Sequence, residues 1–490
     1  MGKEPIKEKK ALLEMPCSLR RAGVLAPVFS LPSGDFGPSV DQFLEFMNRS
    51  RLTIWQVLPL GPPLMDGSPY QCASSFAINP AFLSDALLLN PDDFNSVATV
   101  SERRTGRGAL PSLLAEFEQF CRASSNWLDD YALFMAIKSH ELGRSWLEWR
   151  PVWRDRDPAA LEVFLQDHAE AVHAIKFEQF LLDRQWRRVV TKAHGLGILI
   201  YGDLPIFVAG DSADVWANRE FFQLDERGLP TEVAGVPPDY FSATGQRWGN
   251  PLFDWSRMEA DGFSWWKQRM ARHIEMFDWV RIDHFRGLAA YWSIPAHCDT
   301  AIEGRWVEAP GAALLTTLSE AFGGCLPIIA EDLGVITEDV TALRKAFGMP
   351  GMLILHFAFD SDDDNPYLPA NHHADAVVYT GTHDNDTTLG WWQSLDSKAQ
   401  EHVYDVLEQQ LGLSTAEPMP MALIRAAMAS VAQMAIVPMA DWLGCDSRGR
   451  INTPGTPTGN WTWQFGRADM SAELSKRIRT LVTEYQRDPG

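Results

Sequence analysis

Residues 279–285 read WVRIDHF, an apolar run of strand length in which Arg281 and Asp283 stand two apart. A period of two turns both side chains to one face of a β-strand, where guanidinium and carboxylate can meet. Seven further short apolar runs, with β-branched residues and turn residues at their bounds, recur along the chain. They are Gly23 to Phe29, Thr53 to Leu58, Gly197 to Phe207, Leu326 to Asp332, Met352 to Phe359, Ala376 to Thr382 and Ala435 to Asp441. Continuous runs, rather than alternating ones, are what parallel strands buried on both faces require. Helical patterns at 40–50, 175–194, 262–277, 311–322, 338–346, 398–411 and 421–432 separate most of them. Strand and helix alternating in this way predict an α/β fold, a (β/α)8 (TIM) barrel.

The rhythm is broken by two insertions, about 61–174 after the second strand and about 209–261 after the third. Both follow the C-terminal end of a strand, the face on which a barrel builds its active site. They are expected as subdomains walling a substrate cleft within one catalytic barrel domain spanning 1–490. A third loop, Ser361 to His373, follows the sixth strand. Its Asp360, Asp362 and Asp364 imitate the opening of a calcium loop. Asn365 stands where the turn glycine belongs and Asn371 where the closing glutamate belongs, so a solvated acidic loop is expected.

Charge and motif content exclude several classes. With 43 Lys plus Arg against 64 Asp plus Glu, the net charge is −21, and a polyanion meets repulsion, so nucleic acid is not an expected partner. The six cysteines show no CxxC and no zinc-ligand spacing and read as separate thiols of a reducing compartment. The charged start MGKEPIKEKK lacks the apolar core of a signal peptide, and a cytoplasmic protein is expected. Residues 421–440 carry Arg425 as their one charge, but Pro438, Gln433 and Ser430 divide them into a helix over 421–432 and a buried strand over 434–442. No GxxxxGK, GxGxxG, GxSxG or HExxH occurs, which weakens nucleotide, esterase and zinc-peptidase readings.

The strand ends carry the candidate chemistry. Strand three ends in YGDLPIF with Asp203, strand four in VRIDHF, strand five in IIAEDLG with Glu331, and strand seven leads into YTGTHDND with His383 and Asp384. Ionisable groups directly after apolar runs are costly unless paired or functional. An Arg beside Asp283 keeps that carboxylate ionised, as a nucleophile requires. A structural ion pair is the competing account of Arg281 and Asp283 taken alone. Glu331 on the neighbouring strand adds a proton donor, and two such carboxyls are the equipment of a retaining glycosidase. Asp384 is placed to hold sugar hydroxyls and stabilise an oxocarbenium-like transition state, with His383 as a neutral partner. Trp outnumbers Tyr by 19 to 9. Trp216, Trp248, Trp391, Trp392, Trp461 and Trp463 fall in expected loops, where flat rings suit sugar faces.

These strand-end motifs, RIDH, AED and THD with DLP, resemble those of the α-amylase clan of glycoside hydrolases. The segment AGVPPDYFSATGQRWGNP at 234–251 resembles, more specifically, the active-site loop of the 4-α-glucanotransferases, also called amylomaltases or disproportionating enzymes. SPYQCASSFAINP at 68–80, SLP at 30–32 and INTPGTPTGNWTW at 451–463 extend the resemblance over roughly residues 20–485. It implies Asp283 as nucleophile, Glu331 as general acid/base and Asp384 as transition-state stabiliser. It further implies that Arg281 and His383 orient the nucleophile and bind sugar hydroxyls, and that the Tyr70 ring packs against the sugar. Asp203, Asp239, Gln246, Trp248, Asn250, Asn452 and Pro454 fall in its substrate-contacting segments. The implied substrates are maltooligosaccharides and amylose, starch or glycogen-derived α-1,4-glucans, with glucose as an acceptor. No metal or organic cofactor and no membrane partner are implied, and a monomer is expected.

The expected reaction is disproportionation of α-1,4-glucans with retention, favoured over hydrolysis where residues 234–251 fold over the site and exclude water. The rivals are a hydrolase of the same clan, a non-catalytic glucan-binding protein, and a phosphosugar barrel enzyme, against which the acidic THDND counts.

Overall fold

The computed structural model describes residues 20–238, 242–456 and 458–488. Among them, twelve strands follow in chain order: β1 (Arg21–Leu25), β2 (Ile54–Gln56), β3 (Leu199–Pro205), β4 (Glu232–Val236), β5 (Gln246–Pro251), β6 (Trp279–Asp283), β7 (Ala290–Pro295), β8 (Arg305–Glu308), β9 (Ile328–Ala330), β10 (Gly351–Ile354), β11 (Ala376–Tyr379) and β12 (Met434–Pro438). Eight form a parallel sheet in the order β10-β11-β12-β1-β2-β3-β6-β9. Its two edges meet where the Ala330 N–H donates to Pro350 O at 2.9 Å. Across the same seam Asp332 Oδ1 accepts from the Met352 N–H at 2.8 Å. The sheet curls into the expected (β/α)8 barrel, in which closure leaves no open edge.

Side chains alternate strictly along the barrel strands. Leu25, Ile54, Tyr201, Ile329, Met352, Ile354, Val377, Tyr379 and Ile436 share one inner cluster. Val24, Trp55, Ile200, Val280, Ile282, Ile328, Val378 and Val437 belong to the larger core that packs the strands onto the helices. Burial on both faces accounts for the continuous apolar runs. All eight expected strands are present, and most are shorter than their runs at the C-terminal end. The first run turns into a 3-10 helix at Val28–Ser30, the sixth at Leu355–Phe357, and the eighth into a helix at Met439–Leu443. The residues beyond the strands are apolar because outer layers bury Val28, Leu355 and Trp442, not because the sheet continues.

The expected helices are present at Pro38–Ser50, Ala169–Gly195, Ser264–Met276, Gly311–Ala321, Glu338–Ala346, Ser397–Leu411 and Met421–Ala429. Their ends follow local rules. Pro38 opens the first and Arg51 closes it in the left-handed region, while Asp396 caps the Ala399 N–H and Gly412 closes Ser397–Leu411. Met421–Ala429 and β12 are separate elements, and no helix among the described residues is long and apolar enough to cross a membrane. A further helix, Ala472–Glu484, buries Leu474, Ile478, Leu481 and Val482 and packs on Pro38–Ser50.

The segment after β2 is mainly helical and aromatic-rich. Trp216, which follows β3 and is expected in a loop facing sugar, is fully buried against Phe134 and Trp149 of that segment. An antiparallel sheet of order β5-β4-β7-β8 stands beside the barrel mouth, where the sequence pattern predicts no strands. Its strands read EVAGV, QRWGNP, AYWSIP and RWVE, which have neither continuous apolar character nor strict alternation.

Gly202 separates the inward-facing Tyr201 and Asp203, and a Cβ there would lie 2.3 Å from the Phe277 ring. Gly202→Ala is expected to destabilise the fold by about 1–3 kcal/mol through overpacking. Thermal denaturation would show this as a lowered Tm, and a wild-type Tm would contradict the packing described.

Candidate active site

The alternation that fills the barrel also aims its polar strand ends. Residues 201, 203, 281, 283 and 329 point inward, and the register pairs Asp203 with Arg281 and Ile282 with Ala330. Asp283 and Glu331, the next residues along, therefore leave β6 and β9 side by side. Arg281 lies at the centre. Its Nη2 contacts Asp283 Oδ1 at 2.7 Å and Asp203 Oδ2 at 2.9 Å, and its Nε donates to Asp203 Oδ1 at 3.0 Å. The Tyr70 hydroxyl accepts from Arg281 Nη2 at 3.1 Å and donates to Asp203 Oδ2 at 2.7 Å. The Asp203 side chain is 0% exposed and that of Asp283 31%. Asp203 thus anchors the guanidinium from behind and leaves Asp283 facing the cleft.

Burial, with the carboxylates of Asp203, Glu331 and Asp384, raises the Asp283 carboxyl well above the usual range, and Arg281 opposes them. Burial pushes Glu331 up to about 7, against Arg281 and two backbone N–H donors. Those donors are His284 N–H to Oε2 at 2.7 Å and Leu333 N–H to Oε1 at 3.2 Å. Contact with the guanidinium favours the carboxylate form of Asp283, and burial favours the acid form of Glu331. The cleft therefore holds one carboxyl in contact with a cation beside one bound by neutral backbone donors.

The opposite wall comes from the segment after β11. Asp384 Oδ1 accepts from Asn452 Nδ2 at 2.6 Å, and His383 Nε2 lies 3.3 Å from Asp384 Oδ2. Burial lowers the His383 pKa, which keeps the ring neutral. Its face stacks on Tyr70 with centroids 5.3 Å apart.

One cleft of about 430 Å³ brings together Tyr70, Gln246, Trp248, Asn250, Arg281, Asp283, Glu331, His383, Asp384, Asn452 and Pro454. Asp203 sits beneath it, and Asp239 lies outside the described residues. Gln246, Trp248 and Asn250 share one face of β5 by the period of two, so an unforeseen strand explains why alternate residues of that segment reach the site. Trp461 is the other sequence-named tryptophan of the cleft, whereas Trp391 and Trp392 sit on the helix Thr388–Ser394. Ser68, Gln71, Pro205, Ile206, Phe207, His284, Leu333, Thr382 and Gly455 complete the wall, and the sequence does not mark them as site residues. Gln71 had a usable signal, adjacency to Tyr70, and its Nε2 donates to Asn250 Oδ1 at 3.0 Å. Among the described residues, no group of three or more His, Cys, Asp or Glu is placed to hold a metal ion.

Comparison with known proteins agrees with this geometry. Residues 26–469 match the glycoside hydrolase 77 family, described as 4-alpha-glucanotransferase. The 4-alpha-glucanotransferase of Thermus thermophilus is 44% identical over 97% of this chain and 100% of its own length. That of Synechocystis sp. is also 44% identical, over 97% of this chain and 99% of its own. Among solved structures, the amylomaltase of Streptococcus agalactiae in complex with acarbose superposes with a TM-score of 0.88 at 32% identity, covering 96% of this chain and 99% of that one. The chain belongs to the 4-α-glucanotransferase family of glycosyltransferases acting on α-1,4-glucans.

Proposed function

We propose that the chain disproportionates maltooligosaccharides by a retaining double displacement with Asp283 as nucleophile and Glu331 as acid/base. The observation that carries this assignment is Arg281, bonded to Asp283 at 2.7 Å in the cleft that Glu331 shares. Asp283 attacks the anomeric carbon of the donor. The bond to the departing oxygen breaks as Glu331 donates its proton to that oxygen, leaving a β-glycosyl ester on Asp283. The 4-hydroxyl of an incoming glucan then attacks the same carbon, Glu331 takes the hydroxyl proton, and the Asp283 carboxylate is released. Two inversions give net retention. Asp384, oriented by Asn452, stabilises the positive charge that develops on the ring, and neutral His383 and Tyr70 flank the same sugar. The carboxyls supply both nucleophile and proton, so the steps as written use no metal or organic cofactor.

Transfer rather than hydrolysis is supported by the walls of the cleft. Trp248 of β5 packs edge-on to His284, beside Asp283, with centroids 4.8 Å apart. This covers the turn beside the nucleophile with apolar surface and disfavours water as the acceptor. Starch- or glycogen-derived glucans as donors, glucose as acceptor, a monomeric state and a cytoplasmic setting complete the proposal. The net charge of −21 supports the further expectation that nucleic acid is not a partner.

Maltotriose incubated with the protein should give glucose together with maltopentaose and longer chains at constant total reducing ends. Reducing ends that rise in step with maltose and glucose would make the protein a hydrolase. Asp283→Asn should lower the rate by about a thousandfold or more without changing the Tm greatly, and near-wild-type turnover would remove Asp283 from the role. Because Glu331 must be protonated to donate, kcat/KM should fall as pH rises through about 7. A profile flat across that pH would contradict the assignment.

A further inference from the structure

Arg286 lies outside the cleft yet joins the two turns that carry its catalytic carboxyls. It belongs to the 3-10 turn Phe285–Leu288 that follows Asp283 and is 9% exposed. Its Nη1 donates to Val335 O at 2.7 Å and to Thr337 Oγ1 at 3.2 Å, both in the segment that leaves β9 after Glu331. The guanidinium lies flat enough over Trp306 of β8 to stand 3.9 Å from the ring centroid. Its Nε is buried without a hydrogen-bond partner, so two oxygens and one ring face fix the group.

The same two segments hold Glu331. The His284 N–H that reaches Oε2 comes from the turn bearing Arg286, and the Leu333 N–H that reaches Oε1 comes from the segment Arg286 binds. His284 adopts φ 55°, a left-handed conformation that a residue with a Cβ holds only where its surroundings enforce it. The Phe285 N–H bond to Glu331 O at 3.1 Å is one such enforcement. The Arg286 bridge, from the next residue to segment 333–337, is a second.

We propose that Arg286 is a positioning residue for the acid/base carboxyl, clamping turn 284–287 to segment 333–337 so that both backbone donors stay on Glu331. Arg suits the task because one guanidinium nitrogen serves two acceptors while the planar face stacks on an indole, a stacking that an ammonium does not reproduce. The inference rests on the reading of Glu331 as acid/base. The clamp also ties that carboxyl to β8, in the antiparallel sheet whose strand β5 carries Gln246 and Trp248.

The test compares two donors. Maltotriose loses a sugar oxygen that needs a proton. In α-maltosyl fluoride with azide as acceptor, fluoride leaves and azide attacks with little help from Glu331. Arg286→Ala should lower the maltotriose rate about tenfold to a hundredfold and leave the fluoride–azide rate within about twofold. Arg286→Lys should fall between, and Trp306→Ala, on an edge strand where Trp306 is 40% exposed, should shift the donors in the same direction by less. If Arg286→Ala does not fold, Arg286→Lys and Trp306→Ala decide. Equal loss on both donors, or no loss on either, overturns the clamp. Glu331→Gln run in parallel must itself spare the fluoride–azide reaction. If it does not, the acid/base assignment falls and takes the clamp with it, whereas donor dependence in Glu331→Gln without it in the Arg286 and Trp306 variants removes the clamp alone.

Discussion

A guanidinium held between two carboxylates at the C-terminal mouth of the barrel is the interaction on which the site depends. Arg281 carries one positive charge into a region where Asp203 is wholly enclosed and Asp283 is only 31% exposed. Removing Arg281 would leave the enclosed Asp203 carboxylate without its cation, a loss of about 3–5 kcal/mol. The period of two puts Arg281 and Asp283 on the same face of β6, and the parallel register sets Asp203 across from Arg281. The Tyr70 hydroxyl, bridging Arg281 and Asp203, fastens the loop after β2 to the same cluster. Strand pairing, substrate wall and the ionisation of Asp283 thus share one set of contacts.

The environments of Asp283 and Glu331 differ in the way that the roles proposed for them require. Asp283 has a permanent cation in hydrogen-bond contact, whereas Glu331 has two neutral backbone donors and a pKa pushed up to about 7 by burial. Their chemical identity as carboxyls is the same, and position in the barrel separates the environments on which the proposed roles of nucleophile and acid rest. Asp384, with its side chain 47% exposed, stands apart from both and takes its orientation from Asn452.

Much of this was legible in the sequence because barrel strands are buried on both faces and leave continuous apolar runs. The runs overstated strand length where Val28, Leu355 and Trp442 are buried by packing outside the sheet. The antiparallel sheet left no comparable mark, since QRWGNP and RWVE are half-exposed and polar. Arg281, Asp283 and Glu331 could be read from spacing and strand-end position alone. Tyr70, Asn452 and Pro454 reach the cleft from loops, where no periodicity points, and were reached through family resemblance. His284 and Leu333 act on Glu331 through backbone N–H groups, which any residue type carries, so side-chain identity gave no signal for that contact. Trp216 shows the converse limit, a loop-like tryptophan that the helical segment encloses completely.

The central claim is a covalent glycosyl ester on Asp283, and intact-protein and peptide mass spectrometry test it most directly. The Glu331→Gln variant would be exposed to α-maltosyl fluoride blocked at the hydroxyl through which it could serve as an acceptor. Fluoride can still leave, but deglycosylation lacks its base, so the account predicts one maltosyl unit per chain on the peptide containing Asp283. An adduct on a different residue, or donor consumed with no adduct at any time, would contradict it.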